Sequence, residues 1–207
     1  MITLHHLNQS RSFRILWLLE ELKHPYQLKR YYRDSITHLA PESLKSIHPL
    51  GKSPVIELDG KTIAESGAII EILIQKFAPH LAPSIDDPAY VDYLQWIHFS
   101  ESSAMVPYLL KVFNSVEMKH GTQLAFLENY AQVEFDKVFG YLNDYLNDKN
   151  FLVADRLTGA DFMIGFILND LNTSLNFSEH YPNIRHYIDH LTMLDSWKSA
   201  AEIESVS

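Results

Sequence analysis

The hydropathy pattern changes once along this chain, and that change constrains the fold more than any other feature. Over roughly the first 78 residues, short apolar stretches alternate with amphipathic ones; after Pro79, Pro83 and Pro88 only helical spacing remains. Ile2–Leu7 reads as a strand. Ser10 or Ser12 then opens a helix, because Ile15, Leu18, Leu19 and Leu22 fall on one face of a 3.6-residue period. His24-Pro25 stops it, since proline has no N–H and disfavours a helical predecessor. Residues 26–32 form a second strand candidate and 40–46 a short helix. Residues 53–58 form a strand entered through Pro54. Asp59-Gly60 is a two-residue hairpin signal, with residues 61–63 returning and a helix following over 65–77. The order β-α-β-α-β-β-α predicts an α/β domain over residues 1–78, a proline-punctuated linker over 79–87 and an all-α domain over 88–207. In the latter, helices are expected from Asp87 or Pro88 past Phe99 with a bend near Pro107, and over 121–146. Others are expected after Thr158, over 182–191 and over 195–201.

Composition narrows the function classes. The 207 residues include no cysteine, which excludes disulfides, thiolate metal sites and a nucleophilic thiol on the protein. Sulfur chemistry must come from a ligand. The net charge of −9 argues against a general nucleic-acid binder. It is unevenly spread: residues 1–80 hold 10 Lys+Arg and 8 Asp+Glu, whereas residues 81–207 hold 7 and 18. The first part is therefore the better host for a small anion, although two solvated faces also fit. No apolar run reaches membrane-spanning length, and Met1-Ile2-Thr3-Leu4-His5-His6 lacks the basic flank and apolar core of a secretory signal. A cytoplasmic location without membrane attachment is expected.

Three short segments carry chemistry. In Asn8-Gln9-Ser10-Arg11-Ser12-Phe13-Arg14, hydroxyls stand between a strand end and a helix start. They suit either a helix cap or a donor to an anion such as a thiolate. In His48-Pro49-Leu50-Gly51-Lys52-Ser53-Pro54-Val55, the residue before proline is held extended. If the Ser53–Pro54 bond is cis, it presents the Ser53 backbone to a peptide-like ligand, beside the Lys52 charge. A surface loop with a solvated lysine fits the same residues. In Ala64-Glu65-Ser66-Gly67-Ala68-Ile69, a hydroxyl at a helix start beside a carboxylate suits an α-amino acid head group, or simply complements the helix dipole. The ligand that needs all three is a short anionic thiol peptide.

On these segments, and on Ala154-Asp155-Arg156-Leu157-Thr158-Gly159-Ala160-Asp161, the chain resembles the glutathione S-transferases over essentially its full length, most of all bacterial and fungal members with a serine-type start motif. The resemblance implies a thioredoxin-like N-terminal domain, an all-helical C-terminal domain and a homodimer, with Glu101 on the long helix reaching across. It carries Ser10 onto the catalytic serine, four residues before Arg14, with Asn8 and Ser12 as competing donors. It carries Ser53 and the cis-proline Pro54 onto the cysteinyl backbone of glutathione, Lys52 onto its glycyl carboxylate, and Glu65 and Ser66 onto its γ-glutamyl end. Glutathione is then a substrate, joined by a small apolar electrophile; Ser102, Met105 and Val106 are candidates for that pocket. Where other classes carry a tyrosine in the first strand, His5 and His6 stand here, and no cysteine is available for a mixed disulfide. The same fold also serves glutathione-dependent peroxidases and isomerases, and non-catalytic proteins such as stringent starvation protein A and elongation factor subunits. His186 and His190, with Asp189 between, lack a third ligand, so no metal is expected. Thr158 and Asp161 form a capping-box pattern at the start of an apolar helix.

Overall fold

The computed structural model describes residues 1–35, 37–119, 121, 124–175 and 177–206. The expected combination of a thioredoxin-like α/β unit and a helical unit is what forms. In the first unit, β1 (Ile2–Leu7) runs parallel to β2 (Tyr26–Tyr31), with Ile2 opposite Tyr26 and Leu7 opposite Tyr31. β1 is antiparallel to β3 (Val55–Leu58), which is antiparallel to β4 (Lys61–Ala64), giving the order β2-β1-β3-β4. All six residues of β1 are buried, as an inner strand covered on both faces requires. The β3–β4 turn takes Asp59 and Gly60 to φ +51° and +76°, the paired positive values of a type I′ hairpin.

Helix α1 (Phe13–Leu22) buries Ile15, Leu16, Trp17, Leu18 and Leu19. Its stop comes one residue before the expected His24-Pro25, at Lys23 in the left-handed conformation (φ +50°). A 3-10 turn (Glu42–Ser46) precedes β3, and α2 (Ser66–Phe77) follows β4. The chain then leaves the unit. It returns as α8 (Asp195–Ser205), four residues longer than expected, which packs on α1. Trp197 stands edge-on to Phe13 and Trp17, with ring centroids 5.0 Å and 4.6 Å apart, and Trp17 Nε1 donates to Ser196 Oγ at 3.1 Å. The compact units are therefore Met1–Ala82 with Thr192–Ser207, and Pro83–Leu191. The apolar face of α8, packed on α1, groups it with the first unit.

The second unit holds α3 (Tyr90–Phe99), α4 (Met105–Lys119), α5 (Ala125–Tyr145), α6 (Gly159–Leu175) and α7 (Pro182–Thr192). Between α3 and α4, Ser100–Ala104 widens into a π turn. Pro107 has no N–H for the carbonyl four residues before it, a physical reason for the ladder to widen just upstream. α5 starts at Ala125 rather than Gly121; Thr122 and Gln123 lie outside the described residues. Trp96, Phe139 and Phe162 are fully buried at the centre of this unit.

At the start of α6 the capping pattern forms by its carboxylate half. Asp161 Oδ2 accepts the Thr158 N–H at 2.8 Å, whereas the Thr158 hydroxyl donates to that same oxygen at 3.1 Å instead of capping the helix. Asp161 Oδ1 takes the Leu152 N–H at 2.9 Å and the Tyr187 hydroxyl at 2.7 Å. The box thus also ties the preceding loop and α7 to α6. Among the described residues no helix is long and apolar enough to cross a membrane.

Candidate functional site

All three sequence segments gather at one end of the first unit's sheet, after β1, before β3 and after β4, and two hydrogen-bonded nodes join them. The first node is Leu7, the last residue of β1. Its N–H is 3.2 Å from Ser12 Oγ and 3.2 Å from Ser53 Oγ, and its carbonyl lies 2.8 Å from Ser10 Oγ and 2.9 Å from Ser12 Oγ. The second is Arg14, fully buried on α1, whose Nη1 donates to Ser66 Oγ at 2.9 Å.

At the α1 start, Gln9 adopts φ +49° and turns the chain out of β1. Ser10 is buried but retains 7 % exposure, whereas Ser12 has none. Of the two serines, only Ser10 has any surface to offer a ligand. Ser10 Oγ lies 2.9 Å from Ser12 Oγ and accepts the Ser12 N–H at 3.2 Å, so part of the capping reading holds alongside any role toward an anion. Ser12 occupies the cap position without a side-chain cap bond; its hydroxyl instead meets His6 Nδ1 at 2.8 Å. Asn8 Oδ1 accepts the Arg33 N–H at 3.1 Å, and Arg33 Nη2 donates back to the Gln9 carbonyl at 3.0 Å, which fixes this turn from the β2 side.

The Ser53–Pro54 bond is cis. Ser53 Oγ donates to the His5 carbonyl at 2.8 Å, and the β1–β3 ladder ends at the His5–Val55 pair, leaving the Ser53 backbone beyond it. Lys52 is exposed beside Ser53, and Gly51 at φ +58° makes the turn before it. An added Cβ on Gly51 would stand 2.9 Å from Lys45 Cγ, so that loop tolerates little bulk.

Glu65, exposed, takes φ +69° in a region unfavourable to a non-glycine residue, and Ser66 begins α2. Buried Ser66 combines a hydroxyl held by Arg14 with the unpaired N–H groups of a helix N-terminus, a favourable place for a carboxylate.

Both strand histidines are buried in networks. His5 lies 2.9 Å from the Tyr31 hydroxyl through Nδ1 and 2.7 Å from Glu57 through Nε2. His6, on the other face of β1, bonds Ser12 and, through Nε2, the Glu204 carboxylate of α8. A strand histidine was open as a lining residue, but the parts played by Arg14 and Glu204 were not expected. An arginine bordering an apolar helix face is a signal for the first; Glu204 lies 198 positions from His6, with no local signal.

In the second unit, Ser102 and Val106 line a cavity of about 460 Å³ with Phe99, Tyr130 and Tyr141. Met105 is 2 % exposed and outside that lining, and the Ser102 hydroxyl is turned back to the His98 carbonyl at 2.9 Å. His186 bonds Asn150 at 3.0 Å, and the His190 ring stands edge-on to Phe151. Among the described residues no three His, Asp or Glu side chains are grouped to hold a metal.

Comparison with known proteins matches residues 1–74 to the family described as "Glutathione S-transferase, N-terminal domain" and residues 109–198 to "Glutathione S-transferase, C-terminal domain". Glutathione S-transferase 3 of Schizosaccharomyces pombe is 32% identical over 98% of this chain and 87% of its own length. A crystal structure of a glutathione S-transferase from Actinobacillus pleuropneumoniae superposes with a TM-score of 0.86 at 35% identity, covering 99% of this chain and 93% of that one. Human elongation factor 1-gamma is 30% identical over 73% of this chain but only 34% of its own length.

Proposed function

Because the chain belongs to the glutathione S-transferase family, we propose that it is a glutathione transferase that ionises the glutathione thiol for attack on an apolar electrophile. The observation that carries this reading is the joining of three ligand-type segments through Leu7 and Arg14. In this reading the γ-glutamyl carboxylate sits on Ser66 at the α2 start and its ammonium meets Glu65. The cysteinyl backbone pairs with the Ser53 backbone edge beyond Pro54, and Lys52 receives the glycyl carboxylate. The sulfur then lies against Ser10, where a hydroxyl and the N–H groups at the α1 start favour the anion. Holding a preformed thiolate beside an electrophile supplies most of the rate gain such a site can offer. Ser102, Met105 and Val106 stay in the proposal as apolar-pocket residues, supported by the cavity that Ser102 and Val106 line.

The test is a titration of bound glutathione by its thiolate absorbance. A free thiol has a pKa of about 8.5, and the bound one is expected about one to two units lower. Ser10→Ala should remove most of that depression, worth about 1.4–2.7 kcal/mol, and should lower turnover near neutral pH more than glutathione affinity. An unmoved pH profile in Ser10→Ala, with a shift in Asn8→Ala instead, would transfer the role to Asn8.

The similarity to elongation factor 1-gamma favours a second reading, a non-catalytic binding homologue. Failure of the parent protein to bind glutathione at millimolar concentration would establish that reading over the first. A two-fold homodimer is also proposed, supported by exposed apolar residues Val106, Phe113, Phe126, Tyr130 and Val133 on α4 and α5. Sedimentation should give twice the chain mass at micromolar concentration; a monomer there excludes the dimer.

A further inference from the structure

A histidine–carboxylate pair stands behind Ser10, its imidazole buried and its carboxylate 21 % exposed, and thiol activation by a helix-start hydroxyl does not need it. Glu204 of α8 meets His6 Nε2; His6 Nδ1 is 2.8 Å from Ser12 Oγ; Ser12 Oγ is 2.9 Å from Ser10 Oγ. Carboxylate, imidazole and two hydroxyls form one line that ends at the only member of the serine pair with surface. His6 is 1 % exposed, and burying an imidazole with a carboxylate is expensive unless both are fully bonded. They are held from several sides. The second Glu204 oxygen accepts the Gln9 N–H at 2.7 Å, and Arg30 of β2, paired with His6 in the strand register, donates to the Ile203 carbonyl at 2.8 Å. The remaining titratable groups around β1, namely His5, Tyr31, Glu57 and Lys29, form a separate cluster linked through His5.

The hydrogen count sets a direction along this line. An ionised carboxylate only accepts, so His6 Nε2 carries a proton; in the neutral tautomer that this leaves, Nδ1 is an acceptor. Ser12 must then donate to His6. Its oxygen accepts the Leu7 N–H and has room for the Ser10 proton, which Ser10 shares between Ser12 Oγ at 2.9 Å and the Leu7 carbonyl at 2.8 Å. Ser10 Oγ takes the Ser12 N–H with one lone pair and keeps another for an incoming S–H. Burial pushes the Glu204 carboxyl up, but the bonds from His6 and the Gln9 N–H and the charge of Arg30 hold it below the usual carboxylate range, which keeps it ionised at neutral pH.

We infer that His6 is the base that holds the glutathione proton, reached through Ser10 and Ser12, and that Glu204 positions its ring. The inference rests on the proposed glutathione site. The S–H bond breaks with its electron pair left on sulfur; the thiol proton joins Ser10 Oγ, the Ser10 proton passes to Ser12, and the Ser12 proton passes to Nδ1. One proton moves and nothing is oxidised or reduced. Afterwards every donor points outward, from Nδ1–H to Ser12, from Ser12 to Ser10 and from Ser10 to the thiolate. The same chain that accepts the proton thereby becomes the donor that stabilises the anion. His6 and Glu204 are positioning residues in this scheme, acting through Ser10.

The test counts protons. Calorimetry of glutathione binding in buffers of unlike ionisation enthalpy should show almost no proton release by the parent protein, because the proton stays on His6. Glu204→Gln and Ser12→Ala should each release protons to the buffer and hold about tenfold less thiolate at neutral pH, a rise of about one pKa unit. Glu204→Gln, outside the proposed glutathione contacts, should bind S-methylglutathione, which has no ionisable thiol, as the parent does. Ser12→Ala removes one oxygen and leaves the His6–Glu204 pair in place, so it serves should Glu204→Gln fold poorly. A parent that depresses the thiol pKa but releases a full proton, with both variants unchanged, overturns the relay and leaves Ser10 as a simple donor. Bound glutathione titrating at its free value overturns the thiol-activating function itself.

Discussion

Replacing Asp161 by alanine is expected to lower stability by about 3–5 kcal/mol at neutral pH, the usual cost of breaking a buried charged network. Four donors converge on this carboxylate: the Leu152 and Thr158 N–H groups and the Thr158 and Tyr187 hydroxyls. Alanine strands all four inside the second unit. For a chain of this size the melting temperature should fall by about 6–20 °C. The pH dependence has an unusual sign. Burial outweighs the four hydrogen bonds and pushes the Asp161 pKa up to about 6. An acid whose folded pKa is raised favours the folded state most below its unfolded value of about 3.9, and that contribution is lost as pH rises through about 6. The stability gap between parent and Asp161→Ala should therefore widen by about 2 kcal/mol between pH 7 and pH 4. A gap that closes on acidification would contradict the burial argument, and unchanged melting at pH 7 would contradict the network.

Trp197→Ala should have an effect of similar size on the other unit, about 3–5 kcal/mol for removing a buried tryptophan. Its ring is 5 % exposed and meets Phe13 and Trp17 edge-on, two contacts that supply about 1–3 kcal/mol of the total. Trp197→Phe keeps one ring and should recover about half. Hydrogen exchange should show the loss concentrated in β1, α1 and α8, since α8 is the element that Trp197 anchors. Uniform loss across both units, or none, would refute that placement.

Local chemistry explains which parts of this fold were readable beforehand. Asp59-Gly60 marks its hairpin because two adjacent positive φ values select those residues, and the face of α1 shows in the spacing of Ile15, Leu18, Leu19 and Leu22. Ser10, Ser53 and Ser66 stand at element boundaries, where turn and cap residues leave a local trace. Of the features that escaped, two are small local displacements and the third depends on partners far away. Lys23 turns left-handed one residue before the proline signal. The π turn over Ser100–Ala104 arises from a missing donor at Pro107 but is absorbed upstream of it. The docking of α8 on α1, and with it the His6–Glu204 pair, joins segments whose patterns are each complete without the other. Binary patterning shows that 195–201 is amphipathic and says nothing of which apolar surface it covers.

The first unit is interrupted in sequence by the whole of the second, and this bears on how the protein is made. Residues 1–82 leave the ribosome long before residues 192–207. At about 5–20 residues per second, translation of the intervening unit takes roughly 5–20 s. During that interval Trp17 and Phe13 have no Trp197 to cover them, and His6 has no carboxylate. The nascent sheet must wait with an apolar helix face open to chaperones or to neighbouring chains. The unit whose sequence is synthesised first is in this fold the last to be completed.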